Sequence, residues 1–150
     1  MLTRRTTLRL FAATPLIAMA PAAMAGEPPI YAEGGIAIDG ADAVAYFTQN
    51  APVPGTADHS HDWMGARWQF SSAANRDMFA ADPESYAPAF GGYCAFAASR
   101  GYLAPTIPEA WTVYEDRLYL NANLRARELW LAELPGVIAA GEANWPAILG

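Results

Sequence analysis

The sequence has no lysine and a single cysteine, and only 16% of its 150 residues are charged. Each shortage removes a class of function. One cysteine leaves no intrachain disulfide, no zinc site built from cysteine pairs and no two-thiol redox cycle within one chain. Without lysine there is no phosphate loop of the Walker type, and Gly34-Gly35 and Gly91-Gly92 also lack its spacing. The nine basic residues are all arginine and face fifteen acids, a net charge of −6 that argues against nucleic acid as a partner. There is no nucleophile elbow, although composition alone does not exclude a Ser/His/Asp triad. No apolar run reaches the roughly 20 residues that a membrane span needs. What the chain does have is 53% hydrophobic residues, with five Trp, seven Tyr and six Phe, enough for one packed core and incompatible with disorder.

The beginning reads as an export signal over residues 1–25. Arg4, Arg5 and Arg9 precede an apolar run from Leu10 to Ala20, and Ala23-Met24-Ala25 is a small-residue cleavage site. Arg4-Arg5 with Thr3 before it and Leu8 after it resembles the twin-arginine signal, with Thr7 standing where Phe is usual. An ordinary secretory signal is the alternative. Removal of this segment leaves six arginines against fifteen acids, a net charge of −9. The expected product is periplasmic, exported in the folded state, with no stable membrane insertion after cleavage and a surface that favours cations over anionic partners.

The remaining chain alternates short periodic segments with turn residues. Residues 26–35 form a Pro- and Gly-bearing lead-in, expected to be flexible. Ile36-Ala37-Ile38 reads as a strand, and Asp42 as the cap of a short helix through Phe47. Ser60 to Phe70 is a hairpin turning at Met64-Gly65, followed by a helix from Ala73 to Ala81 capped by Ser72. Pro83 opens a further single turn, and Gly91-Gly92 leads into a helix over residues 93–98. Trp111–Tyr114 and Leu118–Leu120 flank a turn at Glu115-Asp116, and two helices close the chain, over 124–134 and from Pro135 through Ala143. The prediction is an α+β fold: one small single domain, residues 36–150, with two β-hairpins and several short helices.

Several of these segments resemble the YHS-domain family, specifically its small exported single-domain members. The resemblance is carried by Asp42-Ala43-Val44-Ala45-Tyr46-Phe47, the run Trp68 to Arg76, the run Phe79 to Pro88 and Gly91-Gly92-Tyr93-Cys94-Ala95. Pro108 to Val113, Leu118-Tyr119-Leu120-Asn121 and Ala143-Asn144-Trp145-Pro146 complete it. It implies metal handling, since YHS modules occur beside heavy-metal and copper transporters, and some small exported members are thought to carry selenocysteine. The metal-binding form of the module has two cysteines at the hairpin-to-helix junction. Here Ser71 and Asn75 stand in those places, poor ligands for a soft metal and suited to a helix cap and a polar first turn.

Four residues are the candidates for chemistry. Cys94 falls in the first turn of a predicted helix, where backbone N–H groups and the helix dipole favour a thiolate. The Gly91-Gly92 pair before it would admit a ligand or a second backbone. The alternative for Cys94 is a small buried apolar residue. His59 and His61 form His-x-His, which on a strand would aim both rings to one side and toward one metal. The alternative is a pair of solvated histidines, with Asp58 and Asp62 beside them. Met64 is either an exposed soft ligand or a tolerated turn residue. Together, Cys94, His59, His61 and Met64 would suit copper. Three functions are thereby expected, in this order: a periplasmic protein that binds a metal ion, copper favoured, without turnover; a single-cysteine thiol enzyme or sensor acting through Cys94; and a non-catalytic module that binds another periplasmic protein.

Overall fold

The structure, a computed structural model, describes residues 26–150; the expected signal segment lies outside the described residues. Two short strands, β1 (Ala32–Glu33) and β2 (Ile36–Ala37), are followed by α1 (Ala45–Thr48) and the hairpin β3 (Thr56–Trp63) and β4 (Ala66–Phe70). Helices α2 (Ala73–Ala81), α3 (Pro83–Tyr86) and α4 (Ala95–Ser99) precede the second hairpin, β5 (Trp111–Tyr114) and β6 (Arg117–Leu120). Helices α5 (Leu124–Ala132) and α6 (Gly136–Asn144) follow, and a short 3-10 turn over Ala147–Leu149 comes last. The fold is α+β, with one four-stranded sheet in the order β1-β2-β4-β3 and the separate β5-β6 pair. β2 runs parallel to β4, and the other pairings are antiparallel. Among the described residues no helix is long and apolar enough to cross a membrane.

Local chemistry sets most of these elements. Met64 and Gly65 both have positive φ (52° and 78°), as do Glu115 and Asp116 (48° and 63°), the left-handed pair that a two-residue hairpin turn requires. Ser72 accepts the Asn75 N–H and starts α2, and Asn123 accepts the Ala126 N–H and starts α5. In β4 the alternation buries Ala66, Trp68 and Phe70 and leaves Arg67 outside. Helix α2 sets Phe79 over that face, its ring 4.9 Å from Trp68 and 5.1 Å from Phe70.

Strand β6 divides the interior. Leu118 and Leu120 join Ile38, Val44, Trp68, Phe70 and Phe79 in one apolar cluster. Tyr119, on the opposite face, joins Phe90, Ala95, Ala98, Trp130 and Val137 in the other. The period-two alternation of a strand thus places the next odd residue, Asn121, on the α4 side.

The lead-in departs from expectation. Residues 26–35 are anchored rather than loose: Glu27 N–H donates to the Leu149 carbonyl at 2.7 Å, Tyr31 N–H donates to the Gly91 carbonyl at 2.8 Å, and Ile30 and Tyr31 are buried. The reason lies in Gly91, whose left-handed backbone (φ 62°) brings it against Pro29, so that a Cβ there would collide with the Pro29 carbonyl oxygen. A neighbouring backbone, not a ligand, uses the close approach that the glycine pair allows. The expected strand at 36–38 is also shorter, because Ile38 and Asp39 turn into left-handed φ (44° and 55°).

Candidate functional site

Cys94 is the N-cap of α4, one position before the first helical residue. The polypeptide holds it on both sides: its N–H donates to the Ala104 carbonyl at 3.0 Å, and its carbonyl accepts the Ala98 N–H at 2.9 Å. Its side chain is 2% exposed. The sulfur accepts two backbone N–H groups, from Ala97 at 3.4 Å and from Ala122 at 3.3 Å. The thiol in turn donates toward Asn121 Oδ1 at 3.5 Å. Hydrogen bonds from N–H groups are stronger to an ionised acceptor than to a neutral one. An inert apolar filler would require neither donor, so this environment is polar at the sulfur although it is closed to solvent.

Asn121 is the residue that sequence reasoning missed here. It is fully buried, its backbone N–H is tied to the Ala110 carbonyl at 2.9 Å, and its Oδ1 accepts the Phe96 N–H at 3.0 Å. That last bond fixes the orientation of the amide, because turning it over would bring two donors together. Its Nδ2 is buried and has no hydrogen-bond partner. Such an orphaned donor costs about 1–3 kcal/mol. Trp130 Nε1, packed with Ala95 and Ala98 of the same helix, is likewise buried without a partner.

The histidines belong to a different part of the molecule. His61 pairs with Trp68 in the β3–β4 ladder and sets its ring 6.2 Å from Phe79, against the sheet cluster. His59 lies in the stretch of β3 where the register shifts between Thr56 and Ser60, so strict two-residue alternation is broken just there. Its Nδ1 is buried and unpartnered. Asp62 pairs with Arg67 at 3.1 Å on the exposed side of the hairpin. Met64 is 49% exposed at the hairpin tip, where it helps line an open groove of about 370 Å³ with Trp63, Phe90, Trp145, Glu84 and Arg117. Among the described residues no group of three or more His, Cys, Asp or Glu side chains could hold a metal ion. Cys94, His59 and His61 are therefore not gathered into the copper site their residue types suggested.

A second polar centre explains the junction where the resemblance would place two cysteines. The carboxylate of Asp42 is fully buried. Its Oδ1 accepts the N–H groups of Val44 and Ala45 at 3.0 and 3.1 Å, the capping role expected from sequence. Its Oδ2 accepts Ser71 N–H at 2.9 Å, Ser71 Oγ–H at 2.7 Å and Asn75 Nδ2–H at 2.8 Å. Ser71 and Asn75 thus serve as donors to a buried carboxylate, and the helix cap itself is Ser72.

Two tyrosines respond to burial and nearby acids. Burial, then Asp39 and Glu33, pushes the Tyr31 phenol up to about 12. Tyr46 is raised by burial first and then by Glu109 and Asp39, and its hydroxyl donates to the Pro108 carbonyl at 2.8 Å. Compared with known proteins, the chain matches no family model, no curated protein and no solved structure.

Proposed function

We propose that this chain is a periplasmic single-thiol redox protein whose working group is Cys94, with the segment 1–25 serving its export. One observation carries the reading: the Cys94 sulfur accepts two backbone N–H groups, from Ala97 and Ala122, at the start of a helix. That arrangement suits a sulfur that carries negative charge at some stage of its chemistry, since the thiolate is the nucleophile. The order of the sequence-based expectations changes accordingly. Copper held by Cys94, His59, His61 and Met64 has less support, because His61 packs into the sheet cluster while the sulfur is engaged by Ala97, Asn121 and Ala122. The likeness of the segments to YHS domains adds only a metal- or thiol-related context.

The test is alkylation of the folded full chain by iodoacetamide, followed by mass spectrometry, beside a copper(I) titration. Labelling of Cys94 under native conditions, with copper(I) binding unchanged in Cys94→Ser, supports the thiol reading. Copper(I) binding that is lost in Cys94→Ser, His59→Ala and His61→Ala alike returns the metal reading to first place.

A further inference from the structure

We propose that the groove between the tip of the first hairpin and the end of α6 binds a small zwitterion with an apolar body. The ligand class is a free α-amino acid of the phenylalanine or leucine type. Cys94 is not among the groove's lining residues, so the proposal goes beyond the thiol reading and does not depend on it.

The groove has a volume of about 370 Å³, within the range of about 300–1,000 Å³ usual for small-molecule sites. Trp63, Met64, Phe90 and Trp145 supply its apolar wall, and Glu84 and Arg117 add one charge of each sign. Phe90 and Trp145 pack edge to face at 5.9 Å. Helix α3, which carries Glu84, lies against β6, which carries Arg117. Among the described residues neither charge is in an ion pair, with the other or with any third group.

One charge of each sign beside an aromatic wall selects the ligand. A simple amine leaves Arg117 unanswered, a simple carboxylate leaves Glu84 unanswered, and an apolar molecule leaves both. An α-amino acid carries an ammonium and a carboxylate on one carbon, with a side chain to set against the aromatic rings. It is neutral overall, so it is not repelled by a chain with fifteen acids against six arginines over residues 26–150.

Two of the wall residues are held by strained backbone. Met64 (φ 52°) and Phe90 (φ 56°) are both left-handed, where large side chains are rare, and both line this one groove. The hairpin requires that backbone at position 64 but does not require methionine, whose side chain is 49% exposed. Strain of this kind concentrates at ligand-binding sites.

Calorimetric titration of the purified full chain with L-phenylalanine tests this. The comparison probes are 3-phenylpropionate, phenethylamine and N-acetylphenylalanine amide, which lack the ammonium, the carboxylate and both charges. The expected result is saturable binding of L-phenylalanine about tenfold tighter than of any comparison probe, the effect of one charge-assisted contact. Glu84→Gln should remove the advantage of L-phenylalanine over 3-phenylpropionate, and Arg117→Gln its advantage over phenethylamine. Met64→Asn should weaken binding while circular dichroism shows the fold intact, which separates loss of the site from loss of the structure. Absence of saturable binding of both L-phenylalanine and L-leucine overturns the proposal. Binding of phenethylamine or 3-phenylpropionate as tight as that of L-phenylalanine overturns the zwitterion assignment. Tighter binding of the blocked amide overturns it in favour of a peptide ligand. None of these outcomes bears on Cys94, whose reactivity iodoacetamide reads separately.

Discussion

Asn75 donates its side-chain N–H to the carboxylate of Asp42 at 2.8 Å, across 33 positions of sequence. This bond, with the two from Ser71, ties the start of α2 to the start of α1 through one buried charge. Removing the carboxylate leaves its buried donors without an acceptor, at about 1–3 kcal/mol for each that stays unsatisfied. Asp42→Ala should lower the unfolding free energy by at least one such increment in urea titration, and Asp42→Asn should cost less because it retains one acceptor oxygen. A loss below about 1 kcal/mol for Asp42→Ala, the scale of a single net hydrogen bond, would show that the network contributes little.

Met64 tests the hairpin turn. Its left-handed φ of 52° is one that Asn or Gly adopts with less strain, at a difference of about 1 kcal/mol. Met64→Asn and Met64→Gly should both raise the urea midpoint. A lowered midpoint in both would mean that Met64 makes contacts in the groove beside Trp63 that outweigh the turn.

Alkaline pH should weaken the fold through its tyrosines. The folded-state value of Tyr31 is raised to about 12 from the ordinary 10.0, and Tyr46 is raised in the same direction. Below pH 10 their contribution is complete. As pH rises from about 10 toward 12 the unfolded chain loses these protons first, so stability falls with pH across that window. Tyr31→Phe should flatten the loss in thermal unfolding measured from pH 9 to pH 11.5. An identical slope in wild type and Tyr31→Phe would rule this phenol out as a source.

Much of the fold was legible in the sequence because its signals are local. The Met64-Gly65 and Glu115-Asp116 turns, the Ser72 cap and the start of α4 next to Cys94 each depend on neighbours within a few residues. The site was legible only in part. Cys94 stood out as the lone thiol at a helix start, but its partners Asn121 and Ala122 lie 27 and 28 positions away. No local pattern reports that Asn121 follows β6 on the side facing α4. The His-x-His inference likewise depends on strict alternation, which the register shift between Thr56 and Ser60 interrupts around His59. Of the two occupants expected beside Gly91, a ligand or a second backbone, it is the backbone of Pro29 that lies there, so Gly91→Ala should destabilise the chain by about 2–4 kcal/mol through collision and a left-handed φ. Circular dichroism melting measures this, and an unchanged melting temperature would contradict it.

As a working thiol, Cys94 must react as part of the folded protein. The most direct measurement is the rate of Cys94 alkylation as a function of urea, well below the unfolding transition. Local opening at the start of α4 exposes little surface, so the rate should be nearly independent of urea in that range. A rate that rises with urea as steeply as the global unfolding constant would mean that the sulfur reacts only when the whole chain unfolds, and Cys94 would then be a structural residue of the core.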